Sequence, residues 1–320
     1  MSPTALLFPG QGSQEVGMGR DLAESYPAAR QLFAEADDIL GIALSRLCFD
    51  GPKETLDDTI NTQPALLVTS MAVLRALGER AHQERALADM LHRPAAAAGH
   101  SMGELTALVA AGAMSFADGL RLARERGRLM KTAGERSPGG MAAVIKMDDA
   151  AVEMACRDAA AETGAPVQIA NYNAPGQVVI SGDRQALARA IALLQERGGK
   201  KIVPLAVSIA AHSPLMANVV QEYRACVDGT PLLKPSVPVI ANISARPLTS
   251  VDEIRDELAG QLTWPVRWTA SIEAMAAAGV TRFVEMGPKQ VLSGLVKRIA
   301  PGVEAISIGD SAGVQAFAAI

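Results

Sequence analysis

Residues 93–114 read RPAAAAGHSMGELTALVAAGAM, and the fold prediction starts from this stretch. The apolar run over residues 91–98 predicts a buried strand, although its four alanines are poor strand formers. A helix is predicted over 102–112. Between them, Gly99-His-Ser-Met-Gly103 fits G-x-S-x-G, a motif that exposes a serine on a strained turn between strand and helix. Ser101 is thus a candidate nucleophile; the alternative is an ordinary serine in a loop of small residues.

Composition excludes several classes of protein. The 320 residues suit one large domain or one domain with an insertion, and 49% apolar with 3% aromatic residues is typical of helix-rich α/β proteins. A net charge of −4 argues against nucleic-acid binding. Cys48, Cys156 and Cys226 are too far apart for a disulfide framework or a zinc pattern. Without a secretory signal or an apolar run of about 18 residues, we expect a cytoplasmic protein that does not contact membranes.

From Gly139 onward the pattern predicts a βαββαβ unit, the ferredoxin-like or split βαβ arrangement. Its elements are a strand at 141–146, a helix at 148–161, strands at 167–171 and 177–181, a helix at 184–197 and a strand at 201–207. This unit would be an insertion, which gives a large domain at 1–135 and 208–310, a small subdomain at 136–207 and a C-terminal tail at 311–320. The large domain carries predicted strands at 4–8, 237–242, 282–285 and 305–308 and helices at 21–40, 64–80, 115–133, 251–263, 269–278 and 289–299, with Pro64 in a first turn.

The glycine-rich loop at residues 9–14 does not have the spacing of a phosphate-binding loop. A dinucleotide fingerprint needs a third glycine where Glu15 stands, and a P-loop needs a lysine where Met18 follows Gly17. The glycines are therefore predicted to let the backbone approach something in a cleft.

A serine nucleophile needs a base, and the four histidines are the candidates. His82 and His92 lie in a charged stretch and are predicted to be solvated, while His100 adjoins the serine on a tight turn and should point away. His212 follows a predicted strand, at the edge where open α/β sheets place ligands. The alternative for His212 is a hydrogen-bonded loop histidine without a function. The four histidines lack metal-ligand spacing, so no metal site is predicted.

Arg126 breaks the pattern of its helix, because it lies between Leu122 and Leu129 on the apolar face. A buried arginine needs a carboxylate partner. That partner is either an internal Asp or Glu, or an anionic substrate held by the guanidinium fork, and the sequence leaves both open. Gln261 lies near the apolar side of its own predicted helix and, taken alone, is a capping or core amide.

Taken together, these residues resemble the malonyl-CoA:acyl-carrier-protein transacylases of fatty-acid synthesis and their relatives in polyketide synthases. The resemblance covers about residues 4–309. It is carried by Phe8-Pro-Gly-Gln-Gly-Ser-Gln14, Thr62-Gln-Pro-Ala65, Gly99-His-Ser-Met-Gly-Glu104, Arg124-Glu-Arg-Gly127, Asn171-Tyr-Asn-Ala-Pro-Gly-Gln177, Ala211-His212, Pro265-Val-Arg-Trp268 and Glu285-Met-Gly-Pro288.

The resemblance implies an α/β-hydrolase-like large domain with a parallel sheet and an inserted ferredoxin-like subdomain. It also implies a ping-pong transfer of malonyl from malonyl-CoA to the phosphopantetheine thiol of acyl carrier protein through a malonyl-serine ester. No cofactor is implied beyond the coenzyme A thioester substrate, and a monomer is expected. The implied catalytic residues are Ser101 as nucleophile, His212 as base and Gln261 as the group that orients His212 through a carbonyl, with the N–H groups of Gln11 and Met102 as oxyanion hole. Arg126 is the implied anchor for the substrate carboxylate. Asn171, Asn173 and Lys201 are the implied coenzyme A or phosphopantetheine contacts, and Gln63 and Ala211 the implied pocket lining.

Other functions remain open at this point. One is a trans-acting polyketide synthase acyltransferase of the same fold with malonyl or broader extender-unit specificity, since Ala211 is smaller than the usual residue before the histidine. Another is a thioester hydrolase, although a neutral-ester hydrolase gains nothing from a buried Arg126. A third is a catalytically silent carrier-protein docking module, which the presence of Ser101, His212 and Arg126 argues against.

Overall fold

The computed structural model describes residues 2–81, 85–207 and 209–318, so His82 and the first residue of the predicted second large-domain segment, Ser208, lie outside the described residues. The described strands are β1 (Thr4–Phe8), β2 (Ala96–Gly99), β3 (Gly139–Ile145), β4 (Val167–Ala174), β5 (Gln177–Asp183), β6 (Lys201–Pro204), β7 (Val239–Ile240), β8 (Arg282–Met286) and β9 (Glu304–Ile308).

The helices lie mainly around these strands. In chain order they are α1 (Arg20–Ser25), α2 (Pro27–Leu40), α3 (Leu44–Asp50), α4 (Lys53–Asp57), α5 (Thr59–Ala81), α6 (Arg85–His92), α7 (Gly103–Ala110), α8 (Phe116–Arg136), α9 (Asp149–Thr163), α10 (Arg184–Glu196), α11 (Ala217–Asp228), α12 (Val251–Gly260), α13 (Trp268–Ala277), α14 (Val291–Ile299) and α15 (Ser311–Ala318). A single 3-10 turn, Pro214–Met216, precedes α11.

The larger sheet is parallel, in the order β7-β2-β1-β8-β9, with β1 at its centre. Both faces of β1 are buried, because Leu6 and Phe8 join one apolar cluster while Ala5 and Leu7 join a second. The register places Phe8 beside Gly99, so the loops after β1 and β2 meet at one edge of the sheet. This is the edge at which open α/β sheets bind ligands.

The smaller sheet is antiparallel, in the order β4-β5-β3-β6. Its elements follow one another as β3-α9-β4-β5-α10-β6, the predicted βαββαβ order, and they enclose an apolar cluster of their own. The predicted fold class, a parallel α/β unit with an inserted ferredoxin-like subdomain, is confirmed. The boundaries at residues 136 and 207 stay a prediction.

Proline and pairing effects explain where the predicted elements differ from those observed. The predicted helix 21–40 is two helices, because Tyr26 is extended before Pro27. Helix α5 begins five residues before Pro64, since the Asp58 carbonyl already accepts from Asn61 and Thr62, and Pro64 removes only one helical hydrogen bond.

Strand β2 covers 96–99 rather than 91–98. Its alanines form a strand because β1 and β7 pair with both of its edges.

The sequence prediction also missed whole helices. Helices α3, α4, α6 and α11 were not predicted, and the segment after Asp310, expected to be a tail, forms α15. Val314 and Phe317 of α15 are buried in the larger apolar cluster, and the Ser311 amide donates to Asp21 Oδ2 at 2.6 Å. Helix α15 is short and rich in small residues, so its helical structure depends on this tertiary packing.

Candidate active site

Ser101 lies on a sharp turn between β2 and α7, with a positive φ of 52°. The flanking glycines are required by close packing. A Cβ at Gly99 would lie 1.9 Å from the backbone of Gly103, and a Cβ at Gly103 would lie 2.2 Å from the carbonyl oxygen of Phe8. The G-x-S-x-G spacing therefore forms the strained turn that it predicted, with the serine at its apex.

His212 is the histidine within reach of Ser101. Its Nε2 lies 2.8 Å from Ser101 Oγ, and its Nδ1 lies 2.7 Å from the main-chain carbonyl oxygen of Gln261. Because a carbonyl can only accept, Nδ1 carries the hydrogen and Nε2 is free to accept the serine proton. Gln261 thus orients His212 through its backbone, not through its side chain.

The charge state of His212 suits a base. Burial and, as the second cause, the nearby Arg126 guanidinium lower its pKa to about 3. His212 is therefore neutral at pH 7. By contrast, His100 faces away from the serine, with Nε2 2.8 Å from Asn173 Oδ1 and its ring against Trp268, and His92 is exposed at the end of α6.

Gln11 and Met102, whose backbone amides are the predicted oxyanion hole, line the same cavity as Ser101. Neither amide has an acceptor among the described residues, whereas the Ser101 amide donates to Asn242 Oδ1 at 2.8 Å. The loop of Gln11 packs directly against the turn, since a Cβ at Gly10 would lie 2.4 Å from the carbonyl oxygen of His100. Two free donors beside a serine are the arrangement that stabilises an oxyanion.

Arg126 is buried, with 2% of its surface exposed. The hydrogen bonds of its guanidinium to described residues all go to neutral groups. It donates to Gln63 Oε1 at 2.9 Å, to Gln261 Oε1 at 2.6 Å and to Ser101 Oγ at 3.2 Å. Among residues 2–81, 85–207 and 209–318, no carboxylate oxygen lies within 4.0 Å of it. The internal ion pair that the sequence left open is therefore absent from the described chain, and the cation faces the nucleophile.

A buried polar cluster behind the serine was not predicted. Glu104 Oε1 accepts from the main-chain and side-chain nitrogens of Asn242 at 2.8 and 3.1 Å, and Glu104 Oε2 accepts from Gln261 Nε2. Burial raises the pKa of Glu104, and the Glu257 carboxyl raises that pKa further. The hydrogen bonds from Asn242 and the charge of Arg126 act in the opposite direction and lower that pKa. Glu104 directly follows the serine motif in the sequence and could have been suspected from it. Asn242 is 141 residues away from Ser101, and no sequence pattern links the two.

Gln63 links the arginine to the loop of Gln11. Gln63 Nε2 donates to Thr59 Oγ1 at 3.1 Å, and Thr59 Oγ1 donates to Gln11 Oε1 at 2.8 Å. Gln63 is fully buried and does not belong to the cavity lining, contrary to the expectation; its contact with the site is the hydrogen bond that it accepts from Arg126.

The cavity at Ser101 has a volume of about 370 Å³ and is lined by both subdomains. Ala211, an expected lining residue, lines this cavity. Of the expected coenzyme A contacts, Asn171 and Asn173 also line it, whereas Lys201 is exposed on β6 and is not part of the lining. Its apolar wall consists of Met130, Met141, Ala143, Val179, Leu205, Val207, Ile209, Ala211, Val291, Leu292 and Leu295.

Two further properties of the described ranges bear on function. No group of three or more His, Cys, Asp or Glu side chains there could hold a metal ion. Over the same ranges, none of the helices combines the length and the apolar character that a membrane crossing requires.

The comparisons with known proteins agree with this geometry. The family model for the acyl transferase domain matches residues 5–313. The chain belongs to the acyltransferase family. This acyltransferase is 44% identical over 310 residues to the malonyl CoA-acyl carrier protein transacylase of Bacillus subtilis (strain 168). The match covers 97% of this chain and 94% of that relative.

Solved structures of other acyltransferases have the same fold. An acyl carrier protein S-malonyltransferase from Vibrio cholerae is 43% identical with a TM-score of 0.92, and the match covers 99% of this chain and 100% of that one. A malonyl-transacylase solved in complex with a type II PKS acyl-carrier protein is 39% identical with a TM-score of 0.92, covering 98% of each chain.

Proposed function

We propose that this acyltransferase transfers malonyl from malonyl-CoA to the phosphopantetheine thiol of an acyl carrier protein, by a ping-pong mechanism with a malonyl-serine intermediate. The observation that carries the proposal is Arg126, a buried cation 3.2 Å from Ser101 Oγ whose described contacts are neutral. An acyl group that is also a carboxylate satisfies both residues at once. The malonyl transacylases among its relatives support the same substrate.

In the first half-reaction, His212 Nε2 takes the Ser101 proton while Oγ attacks the thioester carbonyl carbon. The N–H groups of Gln11 and Met102 donate to the oxygen that becomes negative. The C–S bond then breaks, the proton passes from His212 to the coenzyme A sulfur, and a malonyl ester remains on Ser101.

In the second half-reaction, the phosphopantetheine thiol gives its proton to His212 and its sulfur attacks the ester carbonyl. The C–Oγ bond breaks, and Ser101 takes the proton back. The Gln261 carbonyl holds the imidazole in the same orientation for both steps, since its bond to Nδ1 does not involve the proton that moves.

Arg126 supplies the selectivity for a carboxylate. The described hydrogen bonds of Arg126 use both Nη2 donors and one Nη1 donor, all to neutral oxygens, so a malonyl carboxylate would replace a neutral acceptor with a charged one. A charge-assisted contact in a buried site is stronger than a neutral one. A hydrolase for uncharged thioesters would leave this cation unpaired, which argues against that alternative.

Carrier recognition and substrate contacts complete the proposal. Asn171 and Asn173, at the cavity wall, would contact the pantetheine arm, and the exposed Lys201 would reach only the outer part of coenzyme A. A polyketide carrier is the second candidate partner, because a similar transacylase was solved with a type II PKS carrier. We further propose that the enzyme acts as a cytoplasmic monomer that needs no cofactor.

Intact-protein mass spectrometry after brief exposure to malonyl-CoA tests the proposal. The wild type should gain one malonyl mass, the Ser101→Ala variant should gain none, and added holo carrier protein should remove the label and become malonylated. Rapid loss of the label to water without carrier protein would instead identify a hydrolase. A wild type that takes up acetyl and malonyl equally well would contradict the role of Arg126.

A further inference from the structure

Gln168 connects the small subdomain to the candidate base. It lies on β4, and its Nε2 donates to the main-chain carbonyl oxygen of His212 at 2.8 Å and to that of Thr263 at 3.1 Å. Neither contact involves a group that reacts. The two acceptors belong to the two backbone segments that position the His212 imidazole.

The His212 segment needs support, because His212 has a φ of +57°. A residue with a Cβ in this left-handed region carries roughly 1–2 kcal/mol of strain, which surrounding contacts must offset. The carbonyl of His212 belongs to this strained unit, and Gln168 holds it from the far side.

The second acceptor belongs to the other half of the pair. Thr263 lies two residues after Gln261, whose carbonyl accepts from His212 Nδ1 at 2.7 Å. One side-chain amide therefore fixes the backbone of the base and the backbone beside its orienting carbonyl relative to each other. A change in their separation would move Nε2 away from Ser101 Oγ.

Attachment of the subdomain does not depend on Gln168. Main-chain hydrogen bonds already join β4 to the segment after Gln261: Val266 N donates to Ala170 O at 2.8 Å, and Tyr172 N donates to Val266 O at 2.9 Å. Removing one side-chain amide should leave this pairing in place.

We infer that Gln168 is a positioning residue for the Ser101–His212 pair, acting from the small subdomain by clamping the His212 and Thr263 carbonyls. The inference relies on the proposed function only for the reacting pair and not for the malonyl group. It can therefore be tested with a reagent that needs the pair alone.

Gln168→Met keeps the length of the side chain and removes its donors. A fluorophosphonate forms a bond to Ser101 Oγ with loss of fluoride, while the serine proton goes to His212. We expect labelling by this reagent to slow by roughly 10- to 100-fold, the effect of misplacing a reactive pair by about 1 Å. With malonyl-CoA, kcat should fall by a similar factor and KM should change by less than about twofold, since Arg126 is untouched.

Gln185→Met is the matched control, because Gln185 is exposed on α10 of the same subdomain. It should label at the wild-type rate. Circular dichroism and malonyl-CoA binding in a Ser101→Ala background should be unchanged by Gln168→Met. Wild-type labelling of Gln168→Met, or a loss that merely follows a loss of folded protein, would overturn the inference. A wild type that is labelled by the fluorophosphonate but takes no malonyl would refute the proposed function and leave this inference standing.

Discussion

The two subdomains contribute different things to one cavity. The parallel unit provides Ser101, His212 and Arg126, which hydrogen-bond to one another and to Gln261, while Gln168 of the antiparallel unit contacts His212 only through its main-chain carbonyl. The antiparallel unit provides an apolar wall with Met141 and Val179, together with uncharged amides. The groups that exchange protons or bind charge thus lie in one unit, and the other unit shapes the space in front of them.

The ion pairs of the small subdomain differ in burial from the ionisable groups near Ser101. The ion pairs within the small subdomain, such as Arg197 with Asp158, are partly exposed and contribute little to stability. In the parallel unit, His212 and Glu104 are buried and their pKa values move away from the usual ranges. Perturbed pKa values in buried groups beside a candidate nucleophile are typical of a site of chemistry.

The largest expected effect comes from removing the base in the parallel unit. His212→Ala should lower the rate of serine acylation by about 10⁴-fold or more, as loss of such a group does in other serine enzymes. Stopped-flow release of coenzyme A measures this rate. His92→Ala is the control, because His92 is exposed. A decrease of less than tenfold in His212→Ala would mean that another group takes the serine proton.

Substitutions of cavity-lining residues in the small subdomain should affect binding more than chemistry, in contrast to Gln168, which contacts the His212 backbone. Asn173→Ala removes a cavity-lining amide, and we expect KM for malonyl-CoA to rise about fivefold to tenfold while kcat changes by less than about threefold. Lys201→Ala should raise KM only about twofold, and 0.5 M salt should abolish that effect because exposed charges are screened. Steady-state kinetics at two salt concentrations distinguish these outcomes. A kcat defect in Asn173→Ala that exceeds the KM defect would break the division between the subdomains.

The smallest effect on rate, with a measurable effect on stability, is expected at Glu257. Burial raises its pKa to about 7, above its value in the unfolded chain. The folded protein therefore keeps a proton that the unfolded chain releases, and stability falls as the pH rises from about 4.5 to 7. The side chain of the Glu257→Gln variant cannot ionise, so its stability should not fall in this way. The free energy of unfolding of the variant minus that of the wild type should therefore be larger at pH 8 than at pH 5, by on the order of 1–2 kcal/mol.

Urea denaturation at the two pH values measures this difference. Glu273→Gln is the control, because Glu273 is exposed on α13. Equal effects of Glu257→Gln at both pH values would show that the Glu257 carboxyl is ionised in the folded protein as it is in the unfolded one.

Local motifs explain why much of the architecture could be predicted. The turn at Ser101 depends on glycines two residues away on either side, and the small subdomain follows from alternating strand and helix periods. Arg126 was conspicuous because its charge interrupts an apolar face. Each of these signals lies within about one element of the chain.

The remaining features depend on contacts between distant residues. Asn242 accepts from the Ser101 amide across 141 positions, and Gln168 donates to His212 across 44. An asparagine or glutamine in a strand or loop gives no periodic signal of such a partner. Helix α15 was missed for a related reason, since its burial against the core depends on where the chain returns rather than on its own small residues.

The proposed malonyl transfer depends most directly on the charge of Arg126, and the selectivity between charged and uncharged acyl groups tests that dependence. Single-turnover acylation rates should be compared for malonyl-CoA and acetyl-CoA, in the wild type and in Arg126→Ala. We expect Arg126→Ala to lose at least about 100-fold with malonyl-CoA and to accept acetyl-CoA as well as or better than wild type, because only the malonyl group loses a charge-assisted partner. An equal loss with both substrates, or wild-type transfer of malonyl, would contradict the proposal that Arg126 anchors a substrate carboxylate.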